Sequence, residues 1–239
     1  MCRELKSVAV PSPVPKGHPL MASRLVRALI VGGGAAAALA LGIGAAAADD
    51  PTWTFSAGSA AVGTTPAFTG TTTGAVPQIT FRDETSDLTL NCDSGTAGGS
   101  GTVGTGKPGA GIASIDGPST TWNNCVGPLG LELDPHGVGA WALNANSYAG
   151  GVATGNISNI TANITNPDDQ CSFTVTGTVD ATYTNSSQSL TVLPNPTLNI
   201  SGVSGCFGLI NDGDLASFAA TYNVVANDAA NNPVQITSP

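Results

Sequence analysis

Positive charge is nearly missing from most of this 239-residue chain: beyond residue 48 the only basic side chains are Arg82 and Lys107, against fifteen acidic ones. The formal charge of −13 over residues 49–239 makes nucleic acid and anionic lipid poor partners, because both are gripped through clustered Lys and Arg. Helical signal is missing too. No window beyond residue 48 repeats its apolar residues every 3.6 positions, which argues against amphipathic helices. A single histidine, His136, remains there, so any Ser/His/Asp catalyst would have to use it as general base. The cysteines show neither Cys-x-x-Cys nor histidine pairing, which argues against zinc. With no lipobox cysteine after the apolar segment and no Leu-Pro-x-Thr-Gly motif near the end, covalent anchoring is not expected.

Residues 1–20 hold Pro11, Pro13, Pro15 and Pro19 without apolar periodicity, and read as an over-extended start ahead of Met21. On that reading Cys2 and His18 drop out of the protein. Arg24 and Arg27, the apolar run Ala28 to Gly44 and Ala46-Ala47-Ala48 then have the form of a secretory signal peptide over residues 21–48. The run of about 17 residues, mostly Ala and Gly, is short for a membrane span, so none is expected after cleavage. Residues 49–239 are expected to be one secreted β domain, extracellular or loosely held at the cell envelope.

Four cysteines remain in that domain. Outside the cytosol they oxidise readily, and four cysteines allow three pairings. Cys92 with Cys125 and Cys171 with Cys206 are preferred because each closes a loop of similar size, 33 and 35 positions. In the loop-entropy account each such bond stabilises by roughly 3 to 4 kcal/mol.

Short alternating runs recur: Trp53-Thr-Phe55, Gln78-Ile-Thr-Phe81, Leu88-Thr-Leu90, Leu129-Gly-Leu131-Glu-Leu133, Phe173-Thr-Val175 and Tyr222-Asn-Val224. Each puts apolar side chains on one pleat face. Turn chemistry divides them at Gly98-Gly99, Lys107-Pro-Gly109, Asp116-Gly-Pro118, Asn185-Ser-Ser187, Pro194-Asn-Pro196 and Asp212-Gly-Asp214. The fold class is therefore all-β, a sandwich or barrel of many short antiparallel strands. Cys92 to Leu131 and Cys171 to Ile210 follow a similar course, which suggests two disulfide-closed repeat units at about 88–148 and 168–225. The competing reading is that Gly/Thr-rich β sequences align with themselves readily.

Candidates for chemistry are few. Cys92-Asp-Ser-Gly95 is faintly like the nucleophile segment of trypsin-like proteases, but Thr96 stands where that pattern has glycine and the histidine follows the serine. An Asx-type turn beside a disulfide explains it more simply. Glu132 and Asp134 share one strand face, whereas glycosidase pairs usually face each other across a cleft. Asp212 and Asp214, together with Asp168 and Asp169, offer oxygen ligands for calcium, yet the spacing lacks the terminal Glu of an EF-hand. Trp122, Trp141 and Tyr148 are the main candidates for stacking against a ligand such as a sugar ring, with core packing as the alternative. No catalytic residue and no cofactor is assigned.

The segments Trp122-Asn-Asn-Cys125-Val-Gly-Pro-Leu129, Trp141-Ala-Leu-Asn144, Tyr183-Thr-Asn185, Ser204-Gly-Cys206-Phe-Gly-Leu-Ile-Asn211 and Ile236-Thr-Ser-Pro239 resemble a group of small secreted actinobacterial proteins. These are Gly/Thr-rich, carry four cysteines and end in Ile-Thr-Ser-Pro. The resemblance covers nearly all of residues 49–239 and implies export and a β fold, and names no site. The chain departs from the pattern in its first 20 residues and in Ala140, where proline is expected.

Three functional classes follow. A binding module for cell-wall glycan or envelope lipid comes first, then a structural or interaction protein of the extracellular space, then an extracellular hydrolase.

Overall fold

The computed structural model describes residues 52–168 and 170–239. The expected start at 1–20, the signal peptide at 21–48 and Asp169 lie outside the described residues. Fourteen strands are present, with two single-turn 3-10 segments and no α-helix among the described residues. The strands are Trp53–Ala57 (β1), Ala67–Thr72 (β2), Ile79–Asp83 (β3), Leu88–Ser100 (β4), Gly104–Lys107 (β5), Ala113–Val126 (β6) and Glu132–Gly137 (β7). Ala140–Ala149 (β8), Val152–Thr165 (β9), Ser172–Thr184 (β10), Ser189–Val192 (β11), Leu198–Ser204 (β12), Leu215–Ala226 (β13) and Val234–Thr237 (β14) complete the set.

Eleven of these strands form one antiparallel sheet that closes on itself. Going round, β4 pairs with β6, β6 with β7 and β8, both of these with β9, and β9 with β10. The circuit continues from β10 to β11 and β12, from both to β13, then through β2 and β3 back to β4. Five long strands and three positions shared by a pair of short ones thus make an eight-position barrel. Of the two architectures expected, the pairing selects the barrel, and closure removes the exposed edges that an open sheet would leave.

Alternation drives the wall. In β13 Ala216, Ala220, Tyr222, Val224 and Ala226 are buried, with Phe218 on the same inward face, while Asn223 and Val225 face out. In β9 the inward set is Ala153, Gly155, Ile157, Ile160, Ala162 and Ile164, with a register shift before Ile160 that keeps the isoleucines inside. Apolar side chains gathered this way supply most of the driving force for folding.

Both disulfides form as expected, Cys92 with Cys125 and Cys171 with Cys206. Cys92 and Cys125 are directly opposed in the β4–β6 ladder, and Cys171 and Cys206 tie the start of β10 to the end of β12. Strands β6 and β12 run in the same direction, so both bridges lie toward the same end of the barrel. They are four positions apart on the eight-position ring, hence on opposite sides. The two suggested repeat units supply β4, β6 and β7–β8 on one side and β10, β12 and β13 on the other.

Strands β14, β1 and β5 form a separate three-stranded sheet. It packs where β4, β8 and β10 finish, the end remote from the disulfides. Trp53 and Phe55 are its most buried side chains, and the Trp53 indole meets the Tyr148 ring edge-on at 6.5 Å. Phe55 lies over Gly101, where any Cβ would fall inside its ring. The sheet is sutured to the β10–β11 turn: Tyr183 Oη donates to the Val234 carbonyl at 2.8 Å, and the Asn185 amide bonds both the carbonyl and the N–H of Ile236, at 2.8 and 3.0 Å.

Several local expectations change. Gly98-Gly99 is not a turn but lies within β4, bonded by β2 and β6 on either side; Asp116-Gly-Pro118 lies within β6, where Asp116 pairs with Gly98 and Ala140 and the ladder to β4 then shifts register before resuming at Thr121. Leu129 is not in a strand: Pro128–Gly130 is a 3-10 turn, which the fixed φ of Pro128 favours. Asp134-Pro-His-Gly137, which carries the candidate base His136, belongs to β7 and is paired to β9.

Candidate functional site

The barrel interior is not completely filled. A cavity of about 90 Å³ runs among side chains from β3, β4, β6 to β13, and no charged group lines it. Small inward residues leave this room: Ala97 and Ala162 stand where larger side chains would close it. Trp122, Ile160 and Phe218 point inward yet are half-buried rather than buried, because they border the hollow.

Aromatic rings form one side of the cavity. Trp122 stacks on Trp141 with centroids 6.3 Å apart and planes 23° apart, and meets Phe218 edge-on at 6.3 Å. Phe81 and Phe173 pack at 6.4 Å nearby in the disulfide half of the barrel. Gly95 lets Trp122 lie against the wall, since it is the directly opposed residue and carries no side chain.

The polar atoms of the lining residues are directed within the protein. The Trp141 N–H is spent on the Val138 carbonyl at 3.1 Å, and the Thr120 hydroxyl on the Asp116 carbonyl at 3.2 Å. The Trp122 N–H is buried and makes no well-formed hydrogen bond. It faces the Tyr222 hydroxyl, whose pKa burial pushes up to about 12, with the Trp122 N–H opposing that rise. Neither group presents appreciable polar surface to the hollow, whose wall is apolar.

The three residues expected to stack against a ligand do not share an outer face. Trp141 is 7% exposed and Trp122 lines the interior, while Tyr148 packs on Trp53 at the opposite end. A surface platform for sugar rings is thus not what these side chains build, because strand alternation turns both tryptophans inward. The calcium candidates are also engaged elsewhere. Asp212 accepts from the Val203 N–H at 3.0 Å, and the buried Asp214 accepts from the Asn211 N–H at 2.8 Å. Each carboxylate closes its own turn, and no cluster of three or more metal-binding side chains occurs among the described residues.

His136 and Asp134 form a pair at 3.0 Å with both side chains well exposed. Glu132 lies on the same outward face of β7, whereas Leu133 and Pro135 point into the barrel. Ser94 accepts from the Asn123 amide on β6, which separates it from the strand bearing His136. A catalytic cleft is not assembled from these groups.

A second hollow, of about 530 Å³, lies on the outer wall over β2, β4 and β6, with Thr69, Thr96, Ser114, Asp116, Ser119 and Asn227 around it. Most of its hydroxyls are bonded within the protein, for instance Thr69 to Asn227 at 2.8 Å and Thr96 to Thr121 at 2.8 Å.

Sequence reasoning did not find the cavity. Trp122 and Trp141 were expected either to stack on a ligand or to pack in the core, and the Gly95–Trp122 opposition depends on a register across 27 positions that no local pattern carries. Comparison of the chain with family models, curated proteins and solved structures finds no match.

Proposed function

We propose that this is a secreted, envelope-associated, non-enzymatic barrel protein that binds a small neutral apolar molecule, or the end of a lipid chain, in its interior. The observation that carries the reading is the apolar, uncharged cavity inside the barrel, with the stacked Trp122 and Trp141 forming part of its wall. Wholly apolar cavities stay dry and take up apolar guests. Export is supported by the two disulfides and by the Arg24–Ala48 segment, and membership of the secreted four-cysteine group by the sequence motifs.

The test compares a short aliphatic ketone with the alkane of equal length, read by native mass spectrometry and by tryptophan emission of the full chain. Saturable binding of the alkane, with the ketone bound no more tightly, is the expected result for a wall that presents no polar group. Ala162→Leu, which fills part of the hollow, should weaken both. Absence of binding by either guest at its solubility limit would remove the reading.

A second reading, recognition of cell-wall glycan, is favoured only by the polar outer hollow beside Asp116 and Asn227. Co-sedimentation with isolated cell walls that soluble wall glycans compete away, and that Asp116→Ala weakens, would move the assignment there.

A further inference from the structure

Two large apolar side chains project into solvent at the disulfide end of the barrel. Leu129 is 95% exposed and Phe207 is 74% exposed. Leu129 lies in the β6–β7 turn, four residues after Cys125, and Phe207 in the β12–β13 turn, directly after Cys206. As β6 and β12 run in the same direction and sit four positions apart on the ring, the two turns leave one end of the barrel on opposite sides. The three-stranded sheet covers the other end.

Backbone conformation argues that these side chains are there for a reason. Leu129 has φ 60° and ψ 17°, and Phe207 has φ 56°, in the left-handed region that large L side chains rarely enter. Glycines flank both, Gly127 and Gly130 around Leu129, Gly205 and Gly208 around Phe207. Gly or Asn at the tip itself would relieve the strain and bring polarity to a solvent position. A strained backbone at a ligand-contacting loop is a recognised place for function.

We infer that Leu129 and Phe207 are the two insertion points by which this end of the barrel docks on an uncharged or zwitterionic lipid surface. Protein partners need a contiguous, complementary patch of roughly 800 Å² on each side. Here two isolated tips stand apart, with polar turns between them. A lipid layer asks for no matching holes and accepts separate protrusions, as apolar anchors at membrane interfaces do. Charge sets the lipid class. Glu84, Asp87, Glu132, Asp168 and Asp212 lie in turns or strand ends on this side, and the one Arg or Lys there among the described residues, Arg82, is already paired with Glu84 and Asp87. An anionic surface would be repelled. The inference does not depend on the cavity holding a guest.

The test adds a reporter at each tip of the full chain, Leu129→Trp or Phe207→Trp, and mixes it with phosphatidylcholine vesicles carrying brominated acyl chains. The added indole should shift to the blue and lose most of its emission, while vesicles rich in phosphatidylglycerol should have a weaker effect. Placing Phe207→Asn in the Leu129→Trp chain should weaken partitioning by at least about tenfold, the effect of losing one buried aromatic. Phe207→Asn alone should melt no lower than the parent, because Asn tolerates the left-handed region. An added indole that keeps its water-like emission among vesicles would overturn the inference. So would self-association that the Asn variant abolishes without any quenching by lipid, which would assign the tips to a second copy of the chain.

Discussion

Gly95 lies directly opposite Trp122 across the β4–β6 ladder, and a Cβ built on Gly95 would stand 2.7 Å from the Thr121 carbonyl, 2.8 Å from Ile79 Cδ1 and 3.1 Å from Trp122 Cδ1. Two of these are side-chain atoms that form the cavity wall. Gly95→Ala is therefore expected to destabilise the protein by about 1 to 3 kcal/mol, the usual range for overpacking. Urea denaturation measures it, and loss of the tryptophan emission change on guest binding should accompany it.

The disulfide between Cys92 and Cys125 joins opposed residues well inside the sheet, with Cα atoms 4.0 Å apart. Replacing both by Ala should lower stability by about 3 to 4 kcal/mol through the freed unfolded chain. The corresponding loss for Cys171 and Cys206 should be similar, as the loops are alike in length. Thermal melts of the two double variants check this, and intact mass before and after reduction should report four oxidised cysteines.

Asn185 is the main suture between barrel and small sheet, bonding both backbone groups of Ile236. Asn185→Ala strands those two groups and is expected to cost about 2 kcal/mol or more. Hydrogen exchange should quicken first at Val234–Thr237, with β9 and β10 unaffected.

Alkaline pH should weaken the fold through two buried tyrosines. Burial raises the Tyr222 pKa from 10.0 to about 12 and that of Tyr183 further still. Ionisation is favoured in the unfolded chain from pH 10, while the native protein still holds both protons, so the unfolded state binds fewer protons and stability falls as pH rises. The stabilisation is intact below pH 10 and declines progressively up to pH 12, by an amount of the order of 2 to 3 kcal/mol for Tyr222. Denaturation midpoints at a series of pH values, with tyrosinate absorbance recorded alongside, test the sign.

Much of the wall was legible residue by residue, since Leu88-Thr-Leu90, Phe173-Thr-Val175 and Tyr222-Asn-Val224 all lie in strands with the expected faces. What could not be read was how far each strand runs. β4 continues through Gly95-Thr-Ala-Gly-Gly99 and β10 through Thr176-Gly-Thr178, where local propensity favours a turn and two flanking strands override it. Cysteine pairing was readable because this arrangement closes two short loops of like size, 33 and 35 positions, whereas the other matched arrangement spans 79 and 81. The site was not: Trp122 and Trp141 could be named, but their shared cavity arises from partners on β3, β9 and β13 that are remote in sequence.

The ring's last seam joins the two ends of the chain. β13 pairs with β2 and β3, as Tyr222 with Thr72 and Ala216 with Asp83, and β14 pairs with β1. As the chain is made from its N-terminus, β2 and β3 can pair with β4 on one side, but their other partner, β13, lies about 130 to 160 residues downstream, and β14 lies about 180 residues beyond β1. Such contacts come late and slowly in folding. The barrel thus stays open until almost the whole polypeptide has been delivered, then shuts in one cooperative step. A chain built this way remains threadable for the length of its own synthesis.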